Sequence, residues 1–255
     1  MSRKPSASAL QALRQQLAAC YRLLAHFRMG DLIYTHCTLR VPGKQRRYLI
    51  NPYGLMWDEI TASDLVLIDA EGAVLESRHV PINLAGFVIH GAIHEAREDA
   101  HCIVHTHTTA GCAVAAQRDG LLPVNQISLE FYGRVGYHEY EGISYDLAER
   151  RRLVRSLGDH PVMIMRNHGL LTVGSTVAQA FLRMYYLEKA CEIQLAAQGG
   201  GQPLSLPSKK ICRRTERQFN APPPPPQPHL VNEPNDLAWQ ALLRLLERLD
   251  PGYLR

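Results

Sequence analysis

The chain has 255 residues, of which 46% are hydrophobic and 20% are charged, and its formal net charge is +4. This composition is typical of a globular protein and excludes wholesale disorder. The densest basic clusters, residues 44–47 and 209–217, lack interleaved aromatic residues, which argues against a nucleic-acid-binding role.

The cysteines and the N-terminal residues indicate a cytoplasmic protein. None of the six cysteines forms a CxxC pair, and most lie within apolar segments, as reduced and buried thiols do: Cys20, Cys37, Cys102, Cys112, Cys191 and Cys212. The N-terminus lacks the apolar core of a signal peptide. No stretch approaches the roughly 18 uninterrupted apolar residues of a membrane span, so we expect no membrane association.

The first hundred residues predict a helix, several short strands and a second helix. Residues 6–29 carry apolar side chains at helical spacing, and Gly30 provides a stop signal. Short runs separated by turn residues predict strands over 32–41, 48–50, 65–68 and 73–76, of which the last two form a hairpin. Residues 82–97 have the apolar spacing of a mostly buried helix.

The following hundred residues alternate between strands and helices. Residues 102–107 are apolar and rich in β-branched side chains, which predicts a central strand. Helices are predicted over 110–117, 147–157 and 177–198, the last of them ended by Gly199, and a buried strand over 162–165.

These patterns divide the chain into a single domain and a tail. Residues 1–201 form the compact domain. Residues 202–234 form a Pro-rich connector, in which the run Pro222–Pro226 favours an extended polyproline II spacer. Residues 235–255 carry a helix with one apolar stripe, which we expect to dock on the body or on a neighbouring subunit: Leu242, Leu243, Leu246 and Leu249.

Three histidines are candidate metal ligands. His105 and His107 are two residues apart on the predicted central strand, so their imidazoles point to the same face. His168 follows a second apolar strand and precedes Gly169, which permits a sharp turn. Three imidazoles form a known catalytic zinc arrangement with an open fourth position. A histidine beside apolar residues can equally be a core side chain bonded to a backbone carbonyl, and the spacing alone leaves both interpretations open.

Several separated motifs resemble the class II aldolase/adducin family, over roughly residues 8–198. The motifs that carry the resemblance are 85–87, 90, 92–93, 102–108 and 166–170, and segments 51–55, 59–63 and 190–194 fit its adducin-like branch. The resemblance implies an α/β three-layer sandwich whose mainly antiparallel sheet is flanked by helices. It also implies that His105, His107 and His168 bind Zn²⁺ or another divalent cation such as Fe, Mn or Co, and that the chain forms a homo-oligomer such as a tetramer.

One residue of the family's catalytic set is missing. Sugar-phosphate aldolases of this family carry an acid/base glutamate where this chain has Gly86, and loss of such a group costs about a hundredfold to ten-thousandfold in rate. Their phosphate-binding serines correspond to Leu84 and Ala85, and their first phosphate loop to a segment near His36. Phosphate-anchored aldol cleavage is therefore not expected.

Other residues could assist a metal centre. A metal-bound water could take over part of the proton transfer. Candidate proton donors lie in a Gly-containing segment after the metal strand, although a surface or packing role is the favoured interpretation for each: Glu130, Tyr132 and Tyr137. His90 and His94 stand one turn apart on the predicted helix, and we expect them to support the site or to pack rather than to bind the metal directly.

Three functions are compatible with these residues. The first is a metal-dependent lyase that acts on a small hydroxylated carbonyl substrate through an enolate-forming step, with catalytic residues that the sequence leaves unassigned. The second is a non-catalytic, adducin-like interaction module. The third is a non-haem iron oxygenase, because three imidazoles do not exclude Fe(II).

Overall fold

The computed structural model of the chain describes residues 6–43, 45–76, 80–143, 148–221 and 234–255. The helices in these ranges are α1 Ala7–His26, α2 Leu84–Ala96, α3 Thr109–Ala115, α4 Gln126–Leu129, α5 Glu149–Leu157, α6 Val177–Gly199, α7 Lys209–Asn220 and α8 Pro234–Leu249, followed by a 3₁₀ helix at Pro251–Leu254. The strands are β1 His36–Val41, β2 Arg47–Ile50, β3 Val66–Asp69, β4 Cys102–Thr106, β5 Val135–His138, β6 Val162–Met165 and β7 Gly169–Gly174. Of these helices, none has the length and hydrophobicity needed to cross a bilayer.

All seven strands belong to one sheet, in the order β3-β2-β1-β4-β7-β6-β5. Among the strands of the described ranges, only β5 and β6 pair in parallel, so the prediction of a mainly antiparallel sheet is confirmed. The central strand β4 pairs with β1 on one side and with β7 on the other. This register places His36 directly opposite His105.

Helices cover both faces of the sheet, which confirms the three-layer sandwich. On one face, α1, α3 and α6 pack on the sheet over apolar side chains such as Cys102 and Val104 of β4, and α8 packs on α1 and α6. On the other face, α2 and α5 pack against Ile103 and Leu171. Every residue of β4 is buried, because helices cover both of its faces, and this explains the uninterrupted apolar run in its sequence.

The N-terminal part of the sheet departs from two predicted strand boundaries. The first strand begins at His36 rather than at residue 32, since Leu32 and Thr35 have φ values of 49° and 62°, which are incompatible with a strand. The predicted hairpin partner at 73–76 is reduced to a single bridge between Ile68 and Val74.

A helix occupies part of the predicted extended connector. Helix α7 spans Lys209–Asn220, and the side chain of Ser208 caps it by accepting a hydrogen bond from the amide of Ile211. Cys212 is buried, while Glu216 lies 3.2 Å from Arg134 on the body. The extended prediction is therefore wrong for these twelve residues, because capping and one-sided packing favour a helix there. The proline run 222–226 lies outside the described residues.

The C-terminal helix packs on the body of the same chain. Trp239 of α8 contacts Phe181 of α6 with ring centroids 5.7 Å apart. Leu246 is buried, whereas Leu249 is exposed and does not belong to the apolar stripe predicted for it. Beyond the helix, the carbonyl of Tyr253 accepts a hydrogen bond from the amide of Ala62 at 2.9 Å.

Candidate metal centre

Three histidines meet at one end of the central strands. His105 lies near the end of β4, His107 lies just beyond that strand, and His168 lies in the turn between β6 and β7. The turn is tight because Asn167 adopts a left-handed conformation with φ of 54°, which asparagine tolerates better than most residues. One nitrogen from each of the three rings lies within 4.8 Å of the other two. The structure therefore brings the three predicted ligands together.

Hydrogen bonds fix the tautomers of two of these rings. The Nδ1 atom of His105 lies 2.8 Å from the carbonyl oxygen of Leu170, and Nδ1 of His107 lies 3.0 Å from a carboxylate oxygen of Asp31. Both oxygens only accept hydrogen bonds, so in the neutral rings each Nδ1 carries the proton and each Nε2 is a bare lone pair. The two Nε2 atoms are 3.0 Å apart. Two lone pairs at this distance repel each other, and a cation shared between them would remove that repulsion.

Burial keeps the imidazoles of His105 and His168 in the form that binds metal. Desolvation lowers the pKa of His105 well below its usual value. It also lowers the pKa of His168 from 6.5 to about 4, and the nearby His107 adds to the effect. Neutral imidazole is the metal-binding form, so the donor set fits a divalent cation at neutral pH.

The three rings line a cavity of about 470 Å³, which is large enough for a small organic molecule. Other side chains at its wall include Tyr34, Tyr53, Asn83, Cys112 and Tyr140. Among the described lining residues there is no lysine or arginine. A phosphate group would therefore meet no cationic side chain among these described residues, in agreement with the replacement of the family's phosphate-binding serines.

A chain of buried hydrogen bonds runs beside the centre. His94 Nδ1 lies 2.7 Å from the carbonyl oxygen of Ala100 and must donate, so His94 Nε2 accepts from the hydroxyl of Thr38 at 2.7 Å. That hydroxyl has only one proton, so its 2.8 Å contact with Nδ1 of His90 requires His90 to donate. His90 Nε2 is consequently a bare acceptor, and it has no hydrogen-bond partner in the described part of the chain.

We expect metal-free protein to lose stability in mild acid through His94. Burial lowers the pKa of His94 from 6.5 to about 3, so between these values the unfolded chain binds a proton that the folded chain does not. The stabilisation is complete above pH 6.5 and is lost progressively as the pH falls toward 3. Between pH 7 and pH 5 this one group should lower the free energy of unfolding by about 2 kcal/mol.

Urea unfolding at both pH values, with chelator present, measures this effect. His94→Gln should show a pH dependence that is smaller by about 2 kcal/mol, whatever its absolute stability. An unchanged pH dependence in His94→Gln would show that His94 does not cause the loss of stability in mild acid.

The suggested proton donors lie elsewhere. Glu130 lines a separate cavity of about 600 Å³, together with Arg134 and Arg183. The hydroxyl of Tyr137 accepts a hydrogen bond from the amide of Leu121. Tyr132 lines neither of these two cavities. Neither Glu130 nor Tyr137 is therefore among the described residues that line the cavity of the three histidines.

Two residues near the centre were not predicted as site residues. Asp31 orients His107, although it comes from the irregular segment before β1. His36 lines the same cavity and fills the space beside Gly86, where an added Cβ atom would lie 2.7 Å from its Nε2. The sequence indicated a site role for only one of them: His36 lies near the segment that corresponds to the family's first phosphate loop. Its pairing with His105 depends on strand register, which no short motif reports.

Comparison with known proteins agrees with this arrangement. A family model described as Class II Aldolase and Adducin N-terminal domain matches residues 15–195. Alpha-adducin from Rattus norvegicus is 41% identical over 252 residues, which cover 94% of this chain and 33% of that protein.

Two solved structures are also similar. An aldolase II superfamily protein from Pseudomonas syringae has a TM-score of 0.88 and 47% identity, with 96% of each chain covered. L-fuculose 1-phosphate aldolase from Glaciozyma antarctica PI12 has a TM-score of 0.79 and 28% identity, with 98% of this chain and 96% of that chain covered.

Proposed function

Because the chain belongs to the class II aldolase and adducin N-terminal domain family, we propose that it is a divalent-metal-dependent lyase acting on a small hydroxylated carbonyl compound. The observation that carries the proposal is the convergence of His105, His107 and His168 in a cavity of substrate size. These three side chains would hold the ion and leave a position open for substrate. The relative from Glaciozyma antarctica, an L-fuculose 1-phosphate aldolase, supports this reaction class.

An ion held by His105, His107 and His168 would supply polarisation of a carbonyl group and stabilisation of the negative charge of an enolate. The protein residues supply orientation. Asp31 and the Leu170 carbonyl hold two of the imidazoles in the tautomer whose Nε2 faces the cavity. Tyr34, Tyr53 and Tyr140 line the wall and can hydrogen-bond to substrate hydroxyl groups. The cavity favours an unphosphorylated substrate, because its described wall carries no lysine or arginine.

A substrate screen with metal-loaded protein tests the lyase proposal. Hydroxy acids and ketoses without phosphate are assayed for retro-aldol cleavage and decarboxylation, before and after removal of the metal with a chelator. We expect turnover of at least one compound, loss of turnover with the chelator and recovery on addition of metal. Absence of both turnover and metal-dependent ligand binding across the panel would contradict the proposal.

A non-catalytic role is the second candidate, and the similarity to alpha-adducin favours it. In that case the histidine cluster would be structural or vestigial, and the chain would act by binding a protein partner. Protein purified without metal, whose melting temperature does not respond to added zinc, would support this role over the lyase.

Zinc is the proposed ion, with iron, manganese or cobalt as alternatives, because imidazole ligands accept each of them. Iron would make oxygen chemistry possible on the same three ligands, and the chain would then be a non-haem iron oxygenase. Metal analysis of protein purified anaerobically separates iron from zinc.

We also propose that the chain acts as a cytoplasmic homo-oligomer, for example a tetramer. All six cysteines are free, which agrees with a reducing compartment. Exposed large apolar side chains on α6 and α7, among them Tyr186, Ile193, Ile211 and Phe219, support association between subunits. Light scattering coupled to size-exclusion chromatography measures the subunit number.

A further inference from the structure

A fourth histidine lies at the wall of the metal cavity and makes no hydrogen bond of normal geometry with the residues that the structure describes. His36 is only 2% exposed, and neither of its ring nitrogens has a partner among the described residues. Leaving a buried polar group without a hydrogen bond is unfavourable, so such a ring is expected to meet a ligand. The cavity that His36 lines is where that ligand would lie.

The His36 ring lies farther from the nearest predicted metal ligand, His105, than the three ligand rings lie from one another. The ring centroids of His105, His107 and His168 are 4.7 to 4.8 Å apart, whereas the His36 centroid is 5.8 Å from that of His105. His36 also lies outside the group whose ligand atoms converge. This placement suits a residue that contacts a molecule bound to the metal rather than the metal itself.

The neighbouring hydrogen-bond chain uses neither ring nitrogen of His36. The His36 ring lies against His90, with centroids 4.0 Å apart, but no hydrogen bond joins the two rings. A neutral His36 ring therefore keeps one N–H donor and one lone pair for a ligand in the cavity. A hydroxyl group both donates and accepts hydrogen bonds, so it suits whichever of these nitrogens it meets.

We infer that His36 is the hydroxyl-binding residue of this site: it forms a hydrogen bond with a hydroxyl group of the molecule held at the metal centre. The inference rests on the proposed metal centre and adds a preference for ligands that carry a hydroxyl group next to the metal-binding oxygen. Gly86 maintains the arrangement, because a Cβ atom there would lie 2.7 to 2.8 Å from three atoms of the His36 ring.

The test uses cobalt-substituted protein and two simple carboxylates as probes. Glycolate and acetate both offer a carboxylate to the ion, but only glycolate carries a hydroxyl group. Their affinities are measured from changes in the visible absorption of cobalt. In His36→Ala we expect one cobalt per chain, about tenfold weaker glycolate binding and unchanged acetate binding.

A glycine pair on helix α2 provides a second test. Gly86→Ala should displace the His36 ring and reproduce the selective loss of glycolate binding. Gly91→Ala is the matched control on the same helix, since its Cβ atom would meet neighbours only at 3.4 Å or beyond and glycolate binding should not change. Circular dichroism verifies that each variant is folded.

Three results would overturn the inference. Unchanged glycolate binding in both His36→Ala and Gly86→Ala would exclude the hydroxyl contact. Equal weakening of glycolate and acetate would indicate general damage to the cavity, and loss of cobalt from His36→Ala would make His36 a metal ligand. Wild-type protein that takes up no cobalt would instead overturn the metal centre itself, and the role of His36 would fall with it.

Discussion

Replacing His107 with alanine is expected to abolish stoichiometric metal uptake while the protein remains folded. The variant keeps only two of the three converging imidazoles. Loss of a residue that merely orients a ligand costs about 10–100-fold in metal affinity, so loss of a ligand should cost more than a hundredfold. The fold should survive, because the side chains of His107 and its partner Asp31 are 28% and 40% exposed.

Equilibrium dialysis against zinc, followed by elemental analysis, measures the uptake. His26→Ala is the control, because His26 is an exposed histidine at the end of α1, away from the cluster. Asp31→Asn should give an intermediate result, with affinity reduced about 10–100-fold. Full metal retention by folded His107→Ala would refute the ligand assignment.

Gly169→Ala is expected to destabilise the protein and weaken the metal centre together. A Cβ atom at this position would lie 2.3 Å from the backbone oxygen of Thr106 and 3.1 Å from the His107 ring. Strands β4 and β7 are paired there, so the backbone cannot move away without breaking the ladder. Overpacking of this kind should lower the free energy of unfolding by about 3 kcal/mol, and movement of His107 should reduce zinc affinity.

Chemical denaturation and zinc titration of the same samples measure both effects. Gly199→Ala is the matched control, since a Cβ atom there meets nothing within 4 Å, and alanine near a helix end should be neutral or slightly stabilising. Wild-type stability in Gly169→Ala would show that the two strands are not packed as closely as described.

The fold was predictable from the sequence where periodicity and capping agree. The helices beginning at Ala7, Leu84 and Val177 each start within two residues of their predicted first residue, and the apolar run 102–106 is the central strand. The errors occur where local conformation overrides composition. Thr35 disrupts the first predicted strand through its backbone angle, and α7 forms in a stretch whose neighbouring prolines favoured an extended chain.

The candidate site was predictable only in part. The pattern at His105 and His107 and the turn at His168 identified the three converging rings. Asp31 and His36 were missed because neither belongs to a motif: one reaches His107 from an irregular segment, and the other faces His105 only through strand pairing. The hydrogen-bond chain through Thr38 depends in the same way on how β1 packs against α2.

The separation of the three ligands along the chain has a consequence for folding. His105 and His168 lie roughly sixty residues apart, on opposite sides of the loops and helices that connect β4 to β7. An ion bound to both histidines would cross-link the ends of the segment between them, as a disulfide does. The loss of chain entropy on closing a loop of this size corresponds to about 4 kcal/mol. The ion would thereby act as a removable cross-link, and chelation would lower the free energy of unfolding.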